Sequence, residues 1–369
     1  MRIGIILHGP EIIDVGSAKR IIDIFNKEHE VVAKLGGTMG RTAVLDAGLE
    51  DVIDISQGFT PSETIIFLTE KIDLAVLLNH GKTLGTGINF GQIISSKLIG
   101  HPDLPFIHIE RPDDNGRILY YSPNEKRCAE YVRKVLAAQE KKYDLKIEKV
   151  VPLPSNIRIE GGIIIRRISG AFPGENIRLE GIVIGEVVLP GPEIVCRDGK
   201  ILELRGGKIK PHGLEKLEKR RIDLFTAKIK TGNIRRSIHK PRIKDIVRGG
   251  TVAIIDHCAE STFELIKGAG LVITVGDDTT AIAADVLTRL GIPVIGITDG
   301  DLDNVLANSV VPAGSIILRV KPGFDDIVGL EVFEKLMHNR KQINAWNIDE
   351  FSSKVIALAE KYIVDIKKY

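Results

Sequence analysis

Cysteine is scarce in this chain. Three residues in 369, Cys128, Cys196 and Cys258, stand far apart. They make neither a disulfide framework nor a paired zinc spacing, so a reducing, cytoplasmic setting is expected. Aromatic residues are 5% of the chain and tryptophan occurs once. That leaves little stacking surface for single-stranded nucleic acid. No run reaches about 18 uninterrupted apolar residues, so no membrane-spanning helix is expected. The start, "MRIGIILHGPE", lacks a basic region followed by a long apolar run, so no secretory leader is expected. The formal net charge is only +2, so no global field calls for nucleic acid or an anionic membrane.

What is present is ordinary globular material, 43% hydrophobic and 27% charged. At about 100–200 residues per domain, the length predicts two or three domains. Abundant Ile, Lys, Glu and Arg bias the reading toward a heat-tolerant source.

Residues 1–145 alternate strand and helix. "RIGIILHG" ends at a Gly–Pro corner. In "SAKRIIDIFNK", Ile21, Ile22, Ile24 and Phe25 share a helical face and Ser17 is a candidate cap. "EVVAKLGG", "IDLAVLLNHG" and "LPFIHIERP" are further strands, and the helix "EKRCAEYVRKVLAAQEKKY" closes the unit. Such alternation predicts a mostly parallel sheet covered on both faces. Residues 146–215 read as short β runs, with "RDGK" a hairpin corner and no helix beyond two turns. The likeness of "IRIEGGIII" to "IRLEGIVIG" fits either a duplicated β unit or two similar strands. Residues 216–248 are strongly basic, either a solvated connector or a lip over an anion, with Arg235 and Arg236 as candidates. Residues 249–369 return to α/β. The fold class is therefore α/β: two Rossmann-like three-layer domains separated by a small β-rich domain.

In parallel sheets, ligands collect at the carboxyl ends of the strands. In the first domain these ends carry His8-Gly9-Pro10-Glu11, Gly36-Gly37-Thr38-Met39-Gly40-Arg41, Asn79-His80-Gly81-Lys82-Thr83 and Glu110-Arg111-Pro112. All four loops are expected on one edge. Gly36, Gly37 and Thr38 sit where backbone N–H groups approach a phosphate, with Arg41 and Lys82 to neutralise it. The loops do not match the Gly-x-x-x-x-Gly-Lys-Ser/Thr phosphate pattern. His8, Glu11 and His80, with Glu110, are acid–base candidates. The plainer account is turn chemistry, because glycine marks most tight corners.

In the last domain the strand ends are Asp256-His257-Cys258-Ala259-Glu260-Ser261, Gly276-Asp277-Asp278-Thr279-Thr280 and Thr298-Asp299-Gly300-Asp301-Leu302-Asp303. The stretch "VITVGDDTTAIAADVLTRLGIPVIGITDGDLDN" predicts two adjacent parallel strands joined by one helix. Five acids, Asp277, Asp278, Asp299, Asp301 and Asp303, fall on two neighbouring strand ends, and Asp299, Asp301 and Asp303 would hold a hard cation, Mg2+. Gly276, Asp277, Thr279 and Thr280 would meet phosphate. Capping by Asp278, Thr279 or Asp303 is the competing account. His257 is a candidate catalyst, whereas Cys258 reads as an ordinary buried thiol.

The stretches "LHGPEIIDVGSAKRII", "LGGTMGRTAVLDAGLEDVIDI", "ISGAFPGENIRLEGIVIG" and "IIDHCAESTFELIKGAGLVITV" resemble an uncharacterised archaeal family centred on methanogens, over nearly the whole chain. That resemblance implies an archaeal cytosolic setting and supplies no site residues. In texture, "GGTVAIIDHCAESTFELIKGAGLVITV" is also similar to the Rossmann-like part of thiamin-pyrophosphokinase-related proteins. That likeness implies nucleotide or diphosphate chemistry.

The expected function is a cytosolic enzyme that binds a phosphorylated small molecule, a nucleotide first of all, with Mg2+ for phosphoryl or diphosphoryl transfer. A non-catalytic nucleotide or metabolite sensor is the alternative. An RNA-binding module is disfavoured, since the basic stretch offers only Phe225 for stacking. A homo-oligomer is left open.

Overall fold

The computed structural model describes residues 1–100, 104–151, 156–218, 221–231, 241–243, 249–300, 311–345 and 347–369. The chain divides into two compact units, Met1–Ile238 and His239–Tyr369.

Unit 1 opens with the six-stranded sheet expected from the alternating pattern. Its strands are β1 (Arg2–His8), β2 (Glu30–Leu35), β3 (Leu74–Asn79), β4 (Phe106–Glu110), β5 (Arg117–Tyr120) and β6 (Lys146–Lys149). They lie in the order β2-β1-β3-β4-β5-β6. β1 to β4 are mutually parallel and β5 reverses against β4. β3 and β4 are buried along their whole length, as apolar runs covered on both faces must be.

The helices are α1 (Glu11–Asp14), α2 (Ser17–Asn26), α3 (Thr38–Ala47), α4 (Pro61–Leu68), α5 (Leu84–Lys97) and α6 (Lys126–Gln139). Ile21, Phe25, Val44 and Val132 pack α2, α3 and α6 on one face of the sheet. Ile65, Leu68 and Ile94 pack α4 and α5 on the other. The "TPSE" run sets the start of α4, with Pro61 at N1 and a capping box between Thr60 and Glu63, two devices that satisfy orphan N–H groups. Ser17 does not cap α2. It is the first helical residue, and its hydroxyl donates to the Asp113 carboxylate.

The β-rich part of unit 1 has two antiparallel four-stranded sheets on one shared core. Its strands are β7 (Ile157–Glu160), β8 (Ile163–Arg167), β9 (Asn176–Leu179), β10 (Ile182–Val187), β11 (Glu193–Arg197), β12 (Lys200–Arg205), β13 (Gly207–Ile209) and β14 (Ile229–Thr231). The repeated "IRIEGG" and "IRLEG" runs are two hairpins, β7–β8 and β9–β10, placed in different sheets. Both, like the "RDGK" hairpin, turn on two residues with positive φ, the geometry that matches strand twist. The helix α7 (Pro211–Glu218) begins only at the end of this β region. The expected boundaries move at both ends. β6 joins the first sheet beyond residue 145. Ile222, Leu224 and Ala227, within the stretch read as a basic connector, fill the β-rich core, and β14 pairs with β9.

Unit 2 is a second six-stranded sheet, ordered β19-β15-β16-β17-β18-β20. Its strands are β15 (Thr251–Asp256), β16 (Ala269–Val275), β17 (Val294–Thr298), β18 (Ile316–Val320), β19 (Gln342–Asn344) and β20 (Ile363–Lys368). The central four are parallel and the two edges antiparallel. Its helices are α8 (Thr262–Leu265), α9 (Asp277–Leu290), α10 (Asp325–Lys335) and α11 (Ile348–Ala359). Ala283, Ala284 and Leu287 of α9 cover one face. Val328, Val332, Phe351 and Val355 of α10 and α11 cover the other.

Candidate functional site

The four polar loops of unit 1 share one edge, as expected. The register aligns His8 with Asn79 and Asn79 with Glu110, while Leu7 aligns with Leu35. Strand order reverses between β1 and β3: the chain goes from β1 outward to β2, then returns to the other side. Such a switch point opens a crevice at the carboxyl ends.

A chain of polar side chains runs across this sheet edge. The Tyr121 hydroxyl lies 2.9 Å from His108 Nδ1, and His108 Nε2 lies 3.0 Å from Glu110 Oε2. Asn79 Nδ2 donates to the same carboxylate oxygen at 2.6 Å, and the Gly81 N–H donates to Oε1 at 2.6 Å. Asn79 Oδ1 lies 2.9 Å from His8 Nδ1. His108 and Glu110 have no solvent exposure, so a carboxylate there needs all of these donors. Glycines admit it: a Cβ on Gly91 would stand 1.9 Å from the Tyr121 hydroxyl and 2.3 Å from His108 Nδ1. Burial lowers the pKa of His8 and of His80. Burial and the nearby Glu110 charge raise that of Tyr121.

The other residues singled out on this edge have structural partners. The Arg41 guanidinium is buried and donates twice to the Gly36 carbonyl. Gly36 itself lies against the Phe59 backbone. Gly37 caps α3 with open space around it, and Thr38 is the first helical residue. Lys82 donates to both oxygens of Glu175, at 2.5 and 2.6 Å, and to the Gly170 carbonyl. This pair ties the β-rich part to the sheet edge. Glu11 opens α1 beside Gly9.

In unit 2, β16 and β17 are adjacent and parallel with α9 between them, as "GDDTT" and "DGD" require. Gly276, at φ +93, is the N-cap of α9, so Asp277, Asp278 and Thr279 fill its first turn. Asp278 and Thr279 are not the caps, although acids there suit the helix dipole. Thr280 turns into the core, its hydroxyl 2.8 Å from that of Thr274, and Thr279 is buried. Asp299 accepts from the Gly323 N–H at 2.9 Å. Asp301, Asp303, Arg235 and Arg236 lie outside the described residues.

A different ligand set gathers at the end of β15. Asp256, His257 and Asp326 offer one atom each within 4.8 Å of one another. His257, at φ +49, bonds Asp256 through Nδ1 and lies 3.4 Å from Asp326 Oδ1 through Nε2. It also adjoins the α9 N-cap, since a Cβ on Gly276 would be 3.5 Å from His257 Nε2. Arg319, exposed on β18, lies over Gly300 at the end of β17. Burial raises the thiol pKa of Cys258, which fits an ordinary thiol. The sequence reading did not include Asp326, which lies in the first turn of α10 beyond β18, or Arg319, which lies within β18.

Residues 5–340 match a family described as an uncharacterized protein conserved in archaea, DUF2117. The chain belongs to this family. It is 41% identical over 355 residues to an uncharacterised protein of Methanocaldococcus jannaschii, covering 95% of each chain. No solved structure matches. These matches agree with the archaeal resemblance and do not extend to the pyrophosphokinase-related proteins. No helix among the described residues of this archaeal protein is long and apolar enough to cross a membrane.

Proposed function

We propose that unit 2 binds a divalent cation together with a phosphate-bearing small molecule, a nucleotide in the first instance. Phosphoryl or diphosphoryl transfer is the chemistry this arrangement suits. The observation that carries the reading is the Asp256–His257–Asp326 set beside the N-terminus of α9. Two carboxylates and an imidazole complement a small cation. The amides of Gly276 to Asp278 and the Arg319 guanidinium complement phosphate oxygens. Relative to the sequence expectation, the cation moves from Asp299, Asp301 and Asp303 to the end of β15. The imidazole also widens the choice from Mg2+ to Mn2+ and Zn2+.

Calorimetry of the full chain with MgCl2, MnCl2 and ZnCl2, followed by ATP with and without the bound ion, tests this. Asp256→Asn combined with Asp326→Asn is expected to weaken ion binding about 10–100-fold, no less than loss of a mere supporting group costs. A parent chain that takes up no ion at millimolar concentration, or a double variant that binds like the parent, overturns the reading. ATP turnover with the bound ion separates an enzyme from a sensor.

A further inference from the structure

We infer that unit 1 carries a ligand site of its own, in which His8 Nε2 accepts a hydrogen bond from a hydroxyl- or N–H-bearing small molecule. The argument rests on hydrogen-bond direction. A carboxylate only accepts, so Glu110 Oε2, at 2.6 Å, fixes the Asn79 amide with its NH2 toward Glu110. The amide oxygen must then face His8, and Nδ1 at 2.9 Å must carry the hydrogen. In a neutral imidazole the other nitrogen is then a bare acceptor. His8 Nε2 has no hydrogen-bond partner among the described residues, yet it is not an enclosed atom. An acceptor held in one tautomer by four buried or half-buried groups, with its lone pair open to the edge, is arranged to receive a hydrogen bond.

Three further observations place a ligand there. The site lies at the β1–β3 switch point, where open α/β sheets bind ligands. The imidazole is stacked on Phe90 of α5 at 3.8 Å and 24°, which fixes the ring plane. In the neighbouring loop, His80 Nδ1 is enclosed without a hydrogen-bond partner among the described residues, so hydrogen-bonding capacity is left unused beside Asn79. The groups that act on His8 are Asn79 on β3, Glu110 and His108 on β4, and Lys230 on β14. Burial is the largest of these influences and holds His8 neutral near pH 7. A ligand O–H or N–H donates a hydrogen bond to Nε2. Where the ligand is acidic enough to give up the proton, the bonding pair stays on the ligand as its anion and the ring becomes imidazolium. Its Nδ1–H stays on Asn79, and Glu110 offsets the new charge through that amide. His8 is the hydrogen-bond acceptor, whereas Asn79, Glu110, His108 and Tyr121 are positioning residues.

Ring 15N spectra of the full chain labelled at histidine read this directly. At pH 7 the expected spectrum shows His8 as the neutral Nδ1–H tautomer with Nε2 unprotonated. Diethyl pyrocarbonate, which attacks an accessible unprotonated imidazole nitrogen, is expected to modify His8 and spare His108. In Asn79→Leu, His8 is expected to return to a mixture with the commoner Nε2–H form. The wild-type spectrum decides the question even if that variant does not fold. An Nε2–H tautomer in the wild type, a charged ring at pH 7, or a His8 inert to the reagent overturns the inference. None of these readouts involves unit 2, so they stand or fall apart from cation binding.

Discussion

Gly87 and Glu110 are fitted so closely that a Cβ on the glycine would stand 2.0 Å from the carboxyl carbon of the acid. Asn79, His108 and the Gly81 amide hold that buried carboxylate in place, so a retreat from the contact strains these hydrogen bonds. Gly87→Ala is therefore expected to destabilise by about 1–3 kcal/mol, the usual cost of overpacking, despite alanine's better helix propensity. Gly85 in the same helix is the control. Its nearest neighbour would be 3.9 Å away, so Gly85→Ala is expected to be neutral or to stabilise by up to about 1 kcal/mol. Urea denaturation of the two variants checks the opposite signs.

Glu175 is 7% exposed and receives the Lys82 ammonium and the Phe172 amide. Lys82→Met takes this cation away from a nearly buried carboxylate, a change expected to cost about 3 kcal/mol. Glu175→Gln keeps an acceptor for the amide and is expected to cost about 1 kcal/mol. Thermal unfolding of both compares them. Equal losses would mean that the charge is not what matters at this junction.

Much of the fold was legible because its periodicities are local. Apolar runs such as Leu74–Asn79 and Ala269–Val275, each ending in a polar corner, define parallel strands whose loops must share an edge. The domain limits were harder to read. The stretch at 216–231 is basic in composition, and its few apolar residues, Ile222, Leu224 and Ala227, carry the packing. The polar chain was half legible. His8, His80 and Glu110 stood out as strand-end residues, but Asn79 read as part of a loop and His108 as a strand interior. The spacing of Gly87 and Gly91, four apart on one helical face, was the unused clue that something bulky and polar lies beneath α5.

The pH dependence of stability has a definite sign. Burial depresses the pKa of His8 and His80 in the folded chain, while the unfolded value is about 6.5. The unfolded chain therefore binds more protons in the window below that value. The stability contributed by these rings is fully present above about pH 6.5 and is lost as the pH falls through the folded values. Each ring contributes a slope of at most about 1.4 kcal/mol per pH unit. Asn79, Glu110, His108 and Lys230 face His8, and Arg111, Glu110, Asp114 and Glu11 surround His80. His8→Gln keeps a donor for Asn79 and is expected to flatten the fall between pH 6.5 and 5. An unchanged slope in both His8→Gln and His80→Gln would exclude these rings as its source.

Thr280 and Arg319 separate what the sequence expects of the α9 corner from what the structure supports. The motif "GDDTT" reads as a phosphate loop in which both threonine hydroxyls serve the ligand. The structure instead pairs the Thr280 hydroxyl with that of Thr274 at 2.8 Å, both residues being wholly buried. Thr280→Val strands the Thr274 hydroxyl, so it is expected to cost about 1–3 kcal/mol of stability and nothing in ligand affinity. Arg319 is the reverse case. It is exposed and lies over Gly300, with a Cβ on that glycine only 2.7 Å from its Nε. Arg319→Gln removes a charge that screens readily in water, so it is expected to be nearly silent in unfolding. It is expected to weaken ATP binding in the presence of Mn2+ about 5–30-fold, the equivalent of one charge-assisted hydrogen bond of roughly 1–2 kcal/mol. Mn2+ affinity without ATP should not move, because the guanidinium is no ligand to the ion. Calorimetry at low and at about 0.5 M salt completes the test, since the contribution of an exposed arginine should shrink as salt rises. If Arg319→Gln binds ATP as the parent does at low salt while Thr280→Val loses it, phosphate lies on the threonine side of α9. The assignment of Arg319 is then wrong.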